Sequence, residues 1–199
     1  GLALYSWVFS AYLLMQAVTI PIYGKLSDLF GRKHVFIAGI LIFLVGSALC
    51  GIAWSMPALV AFRFIQGIGA GAVHPLATTL IGDLYTLEER GRVQGYMSSV
   101  WGISAIVGPL AGALIVQHTS WAWVFWVNLP FGVVSVALVS LYLHEEVAPK
   151  KPSIDFAGAG LILVGLVSLM LALTQGAHWG IPAALSLLAF AVVVMWLFV

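Results

Sequence analysis

Apolar positions along this chain come in long runs, without the two-residue alternation of a half-buried strand. Breaking the sequence at its charges and turn residues leaves seven such runs, at 4–23, 35–54, 57–81, 93–117, 121–143, 157–175 and 182–199. Each is close to the roughly 20 apolar residues that a helix needs to cross a hydrocarbon core. The pattern predicts an all-α, polytopic helical membrane protein with about seven transmembrane helices. A barrel is excluded by the missing alternation, and an unpaired strand edge in lipid would leave backbone groups unsatisfied.

The stretches between the runs alternate in kind. Lys25 to His34, Asp83 to Arg92 and His144 to Asp155 carry charge, whereas 55–56, 118–120 and 176–181 contain no Asp, Glu, Lys or Arg. Seven of the eight basic residues lie in the first set. By the positive-inside bias those loops are expected in the cytoplasm of a plasma (inner) membrane protein, with Gly1 outside. Trp7, Trp54, Trp121, Trp123 and Trp179 then fall at the outer ends, where amphipathic rings sit at headgroup depth.

Composition sharpens the class. The 199 residues are 62% hydrophobic and only 8% charged, against about a quarter charged in soluble domains, so too little polar surface exists to face water. A net charge of +1 supplies no field for nucleic acid. The lone Cys50 can form neither an internal disulfide nor a metal knuckle. The chain opens at Gly1 without an initiator Met, a basic leader segment or a small-residue cleavage site, so the first run does not read as a signal peptide. A piece of a longer protein is expected.

The first charged stretch reads Gly24-Lys25-Leu26-Ser27-Asp28-Leu29-Phe30-Gly31-Arg32-Lys33, two glycines bracketing a tight reversal. It resembles the loop signature of the major facilitator superfamily, G-x-L-x-D-x-x-G-R-K/R, with Leu29 in place of a frequent Arg. The resemblance implies a loop between the second and third helices of a transporter, and an Asp28 that meets the opposite half in one of two access states. Gly24, Asp28, Gly31, Arg32, Lys33 and Asp83 are the conformational-switch candidates, with Arg32 placed to pair with Asp83. The plainer alternative makes these charges solvated topology markers.

In the third run, Arg63-Phe64-Ile65-Gln66-Gly67-Ile68-Gly69-Ala70-Gly71 puts a cation inside an apolar stretch. A central Arg costs about 2.5 to 3.5 kcal/mol on insertion scales, so it should face a wet cavity or a partner, or else snorkel to the nearby outer surface. Arg63, Gly67, Ala70 and His74 share a helical stripe with Gln66 beside it. Gly67 and Gly71 also form G-x-x-x-G, a close-packing face. The segment resembles the superfamily's R-x-x-Q-G-x-G-A signature, and the resemblance implies that Arg63, Gln66, Gly67 and His74 belong to a proton-coupling or substrate cavity. His74 is followed by Pro75 and is either a titrating group or a neutral one bonded to a neighbouring helix.

The fourth run carries Gly95, Ser104, Gly108, Pro109 and Gly112, small residues with a mid-helix proline that can bend it. They resemble the superfamily's antiporter signature, with Ser104 and Ala113 replacing glycines. Trp121-Ala122-Trp123-Val124-Phe125-Trp126-Val127-Asn128-Leu129-Pro130-Phe131-Gly132 resembles W-R-W-x-F-x-x-N-x-P-x-G of fourteen-span drug and proton antiporters, Ala122 standing where that branch has Arg. The last two runs lack intramembrane charge and resemble the two extra helices of that branch. The fragment would then cover spans two to eight. The resemblance then implies that residues 1–143 are an N-terminal transporter bundle lacking its first helix, 144–156 a cytoplasmic linker, and 157–199 two auxiliary helices.

The resemblance implies a secondary active transporter, a proton-coupled antiporter exporting drugs or other amphipathic molecules by alternating access. Its partners would be the bilayer, a small-molecule substrate, the proton, and the missing first helix and C-terminal half. Competing readings are a metabolite symporter or facilitator and, in another class, a seven-helix receptor. Lys25, Lys33, Lys150 and Lys151 all lie in charged loops, which counts against a retinal Schiff base. No catalytic group, metal set or cofactor motif is expected: His34, His74, His118, His144 and His178 lack ligand spacing, and there is no phosphate-binding loop. All seven acidic residues lie at loops or their edges, so a proton-carrying group must be His74 or lie in the absent helices.

Overall fold

A computed structural model of the chain describes residues 2–143, 145 and 156–198. The described residues form helices and short turns, without a strand: α1 (Leu2–Phe30), α2 (Arg32–Gly51), α3 (Met56–Leu84), α4 (Leu87–His118), α5 (Trp123–Trp126), α6 (Asn128–Tyr142), α7 (Phe156–Trp179) and α8 (Ile181–Phe198). Every apolar run of the sequence falls on this series. Five segments are long and apolar enough to cross a membrane, α1 to α4 and the combined stretch Trp123–Tyr142, and α7 and α8 contain shorter apolar stretches. The expected linker lies outside the described residues except for Glu145 and Phe156, and so do Lys150 and Lys151.

Helix boundaries depart from the runs where charge is present. α1 continues through Lys25 and Asp28 to Phe30, so Gly24 is helical and the reversal rests on Gly31 alone. Gly31 has φ 86° and ψ 145°, a conformation that side-chain-bearing residues avoid. Likewise the stretch 83–92 is mostly helix. Only Tyr85 and Thr86 interrupt it, and Thr86 begins α4 with a capping box closed by Glu89. The fifth run, by contrast, divides at Val127 into α5 and α6. Pro130 has no N–H to give the Trp126 carbonyl, which suits it to the first turn of a new helix.

The packed centre is α1, α2 and α3. Tyr23, Val35, Phe36, Ile40, Leu44, Ala72 and Leu76 form its apolar cluster, and α6 adds Leu129, Val136 and Val139 at the margin. Glycine lets α3 reach both neighbours closely. A Cβ on Gly67 would stand 2.5 Å from the Tyr12 carbonyl oxygen of α1, and one on Gly69 would stand 2.5 Å from the Gly39 carbonyl oxygen of α2. α7 and α8 pair through a turn at Gly180, and α7 lies on α1, where Gln175 Nε2 donates to Ser10 Oγ at 3.2 Å between buried side chains. α4 differs: among the described residues it touches only α3 and α5 and buries no side chain.

Candidate functional site

Arg63 sits about two turns into α3, and its guanidinium turns into the bundle rather than out to the surface. Nε donates to the Val8 carbonyl of α1 at 3.0 Å, and Nη1 donates to Gln66 Oε1 at 2.6 Å. The guanidinium also lies over the Tyr12 ring, 4.1 Å from its centroid, with the Phe125 ring at 5.8 Å. Such placement over an aromatic face contributes about 0.5 to 2 kcal/mol. The charge is therefore held by neutral dipoles and rings, with no carboxylate beside it among the described residues.

Gln66 passes this arrangement on to α2. It is 2% exposed, and its Nε2 donates to Ser47 Oγ at 2.6 Å while Oε1 also faces Cys50 Sγ at 3.9 Å. Asn128 Nδ2, at the start of α6, reaches the same Ser47 Oγ at 3.5 Å, and Trp126 Nε1 donates to the Ala48 carbonyl at 3.4 Å. One chain of contacts thus runs from α1 through α3 and α2 to α6. No buried side-chain nitrogen or oxygen among the described residues lacks a partner, as burial in apolar surroundings demands.

The other residues of the predicted stripe part company. Gly67 and Gly71 face α1, where the backbones approach closely, so Gly67 packs helices. His74, exposed within the described chain, meets the Trp101 ring of α4 edge-on, centroids 5.3 Å apart. Pro75 leaves α3 continuous. On α4, Gly95, Gly108 and Gly112 have open space where a Cβ would stand, and the helix runs unbroken through Ser104 and Pro109.

At the opposite end of the bundle the charged segments meet. Arg32 pairs with Asp83, as the sequence suggested, and Lys33 Nζ donates to the Ser140 carbonyl in the last turn of α6 at 2.8 Å. Asp28 is exposed on α1. Glu145 binds the first amides of α2. Tyr12, Ser47, Cys50, Asn128 and Glu145 were not singled out as site residues from sequence. Asn128 had a signal, its place in the aromatic-proline motif, whereas Ser47 is one small polar residue in an apolar run.

The family profile described as Major Facilitator Superfamily matches residues 1–199. Multidrug resistance protein 3 of Bacillus subtilis (strain 168) is 46% identical over 172 residues, covering 86% of this chain and 34% of that protein. Multidrug transporter protein MdtP of the same organism is 40% identical over 196 residues, covering 97% of this chain and 36% of that protein. The chain therefore spans about a third of the length of these curated relatives. In fold it is similar to the POT family transporter PepTSo, with a TM-score of 0.65, 21% identity, and coverage of 97% of this chain and 43% of that one.

Proposed function

The chain belongs to the major facilitator superfamily, a family of membrane transporters and not of enzymes, and from that membership we propose that it is part of a proton-coupled antiporter that exports amphipathic drugs. The observation that carries this reading is Arg63: a cation turned into the bundle, bonded directly to α1 and through Gln66 to α2. The two Bacillus subtilis relatives are named as multidrug proteins, which supports the substrate class. An intramembrane cation held by neutral partners projects its field into low dielectric, where it lowers the proton affinity of any nearby titrating group. His74 on the same helix, or a carboxylate elsewhere in the whole protein, is the candidate proton carrier of this reading.

In this reading residues 1–143 belong to the N-terminal bundle, 144–156 to a cytoplasmic linker, and 157–199 to two auxiliary helices. The Arg32–Asp83 end faces the cytoplasm of the plasma (inner) membrane, and the bundle rocks against a C-terminal half around a midplane cavity. Gly24, Asp28, Gly31, Arg32, Lys33 and Asp83 serve the switch. Gly95, Ser104, Gly108, Pro109 and Gly112 give α4 a slim face for the other half.

The test is drug uptake into inside-out vesicles of the full-length protein with an imposed pH gradient. Uptake should collapse when an ionophore dissipates the gradient, and Arg63→Ala should remove the gradient-dependent component. Uptake that continues at the same rate after dissipation would refute the coupling.

A further inference from the structure

We propose that Glu145 is a positioning residue of the charged turn, a carboxylate clamp that fixes the start of α2 and thereby the approach of Arg32 to Asp83. Glu145 Oε1 accepts from the Arg32 amide and Oε2 from the Lys33 amide, each at 2.8 Å. These are the first two amides of α2, which have no acceptor within their own helix and stand at its positive end. The preceding residue, Gly31, has no side chain with which to cap them. The acceptor arrives instead from 113 residues away along the chain.

The arrangement is reciprocal. α2 begins where α6 ends, so the positive terminus of one helix lies beside the negative terminus of the other. Glu145, just past the end of α6, supplies the anion to α2, and Lys33 of α2 supplies a cation to the Ser140 carbonyl. Because the amide of Arg32 is held by Glu145 while its guanidinium pairs with Asp83, the ends of α2, α3 and α6 are joined through one residue. Glu145 thus acts on the Arg32–Asp83 pair through the backbone of Arg32 itself. The link to transport rests on the switch role given above to that pair; the clamp itself does not.

The decisive variant is Glu145→Gln in the full-length transporter. It keeps the size but sets an NH2 group against an amide donor, so one of the two bonds becomes a donor–donor contact. Hydrogen exchange at Arg32 and Lys33 should accelerate at least tenfold, with the amides of α3 unchanged. Turnover should fall severalfold with half-saturation unchanged, and adding Asp83→Asn should cost less than it does in the parent. Glu145→Asp keeps the charge one methylene back and should give intermediate exchange, a readout that serves if Glu145→Gln does not accumulate. Unchanged exchange at Arg32 and Lys33 overturns the clamp, and faster exchange with full turnover overturns its role in the switch. A parent that transports without proton coupling refutes the antiporter reading and leaves the exchange result intact.

Discussion

Replacing Gln66 with Leu keeps the volume near that of the original side chain and removes the amide that joins Arg63 to Ser47. Two short bonds are lost, the 2.6 Å bond from Arg63 Nη1 and the 2.6 Å bond to Ser47 Oγ, together with the weak 3.9 Å contact from Cys50 Sγ. A hydrogen bond to a charged group contributes about 1.5 to 3 kcal/mol. A neutral bond between membrane helices contributes less, about 0.6 kcal/mol on average and up to about 1.7. The first term dominates, because a guanidinium in low dielectric cannot find water to replace the missing acceptor. Gln66→Leu should therefore destabilise by about 2 to 5 kcal/mol, whereas Ser47→Ala, which spares the Arg63 bond, should cost about 0.6 to 1.7 kcal/mol. The assay is thermal unfolding of the purified full-length protein in detergent, followed by tryptophan fluorescence at one scan rate for all variants. Adding Arg63→Met to Gln66→Leu should recover part of the loss, since the unpaired charge is then gone. The reasoning fails if Gln66→Leu unfolds at or above the temperature of Ser47→Ala, or if the double variant is less stable than Gln66→Leu alone.

Two further outcomes follow from the packing and charge geometry. Gly67→Ala places a methyl group 2.5 Å from the Tyr12 carbonyl oxygen and should cost about 1 to 3 kcal/mol by forcing α1 and α3 apart, read as a lower unfolding temperature; a neutral result would contradict the close approach. The Arg32–Asp83 pair has side chains 25% and 48% exposed, so a double-mutant cycle on stability with Arg32→Gln and Asp83→Asn should give a coupling below about 1 kcal/mol, and a much larger value would mean the pair is desolvated in the whole protein.

The sequence spoke most clearly where one physical constraint acts alone. Lipid requires long apolar helices, and the runs fell on helices throughout the described chain. The pairing of Arg32 with Asp83 was also legible, because a cation and an anion at the ends of neighbouring helices of one bundle have few other partners. Boundaries were less so. The charges of 24–33 and 83–92 suggested loops, yet charged residues extend helices freely once these leave the hydrocarbon, and only Gly31 and the pair Tyr85–Thr86 break them. Long-range partners were the least legible. Neither Ser47 nor Glu145 has a local pattern that names its acceptor or donor, since Gln66 lies 19 residues from Ser47 and the amides of α2 lie more than a hundred from Glu145.

Small residues mark the limit of such reading. α3 and α4 both carry glycines at helix-packing spacing, yet those of α3 are filled by the backbones of α1 and α2 while those of α4 open onto space within this chain. A missing Cβ permits close approach without specifying the partner, so the sequence can locate a packing face and leave its occupant undetermined. On α3 the choice is made by what accompanies the glycines: Arg63 and Gln66 carry polar groups that must be satisfied in an apolar interior, and Val8 and Ser47 satisfy them on either side. On α4 the span from Gly95 to Gly112 has no charged side chain to enforce such a choice. Shape alone would select its partner, and helices held by shape alone can part and rejoin at lower cost than helices joined through a buried guanidinium. The closely packed centre α1–α2–α3 and the sparsely contacted α4 therefore differ in the residues beside the glycines.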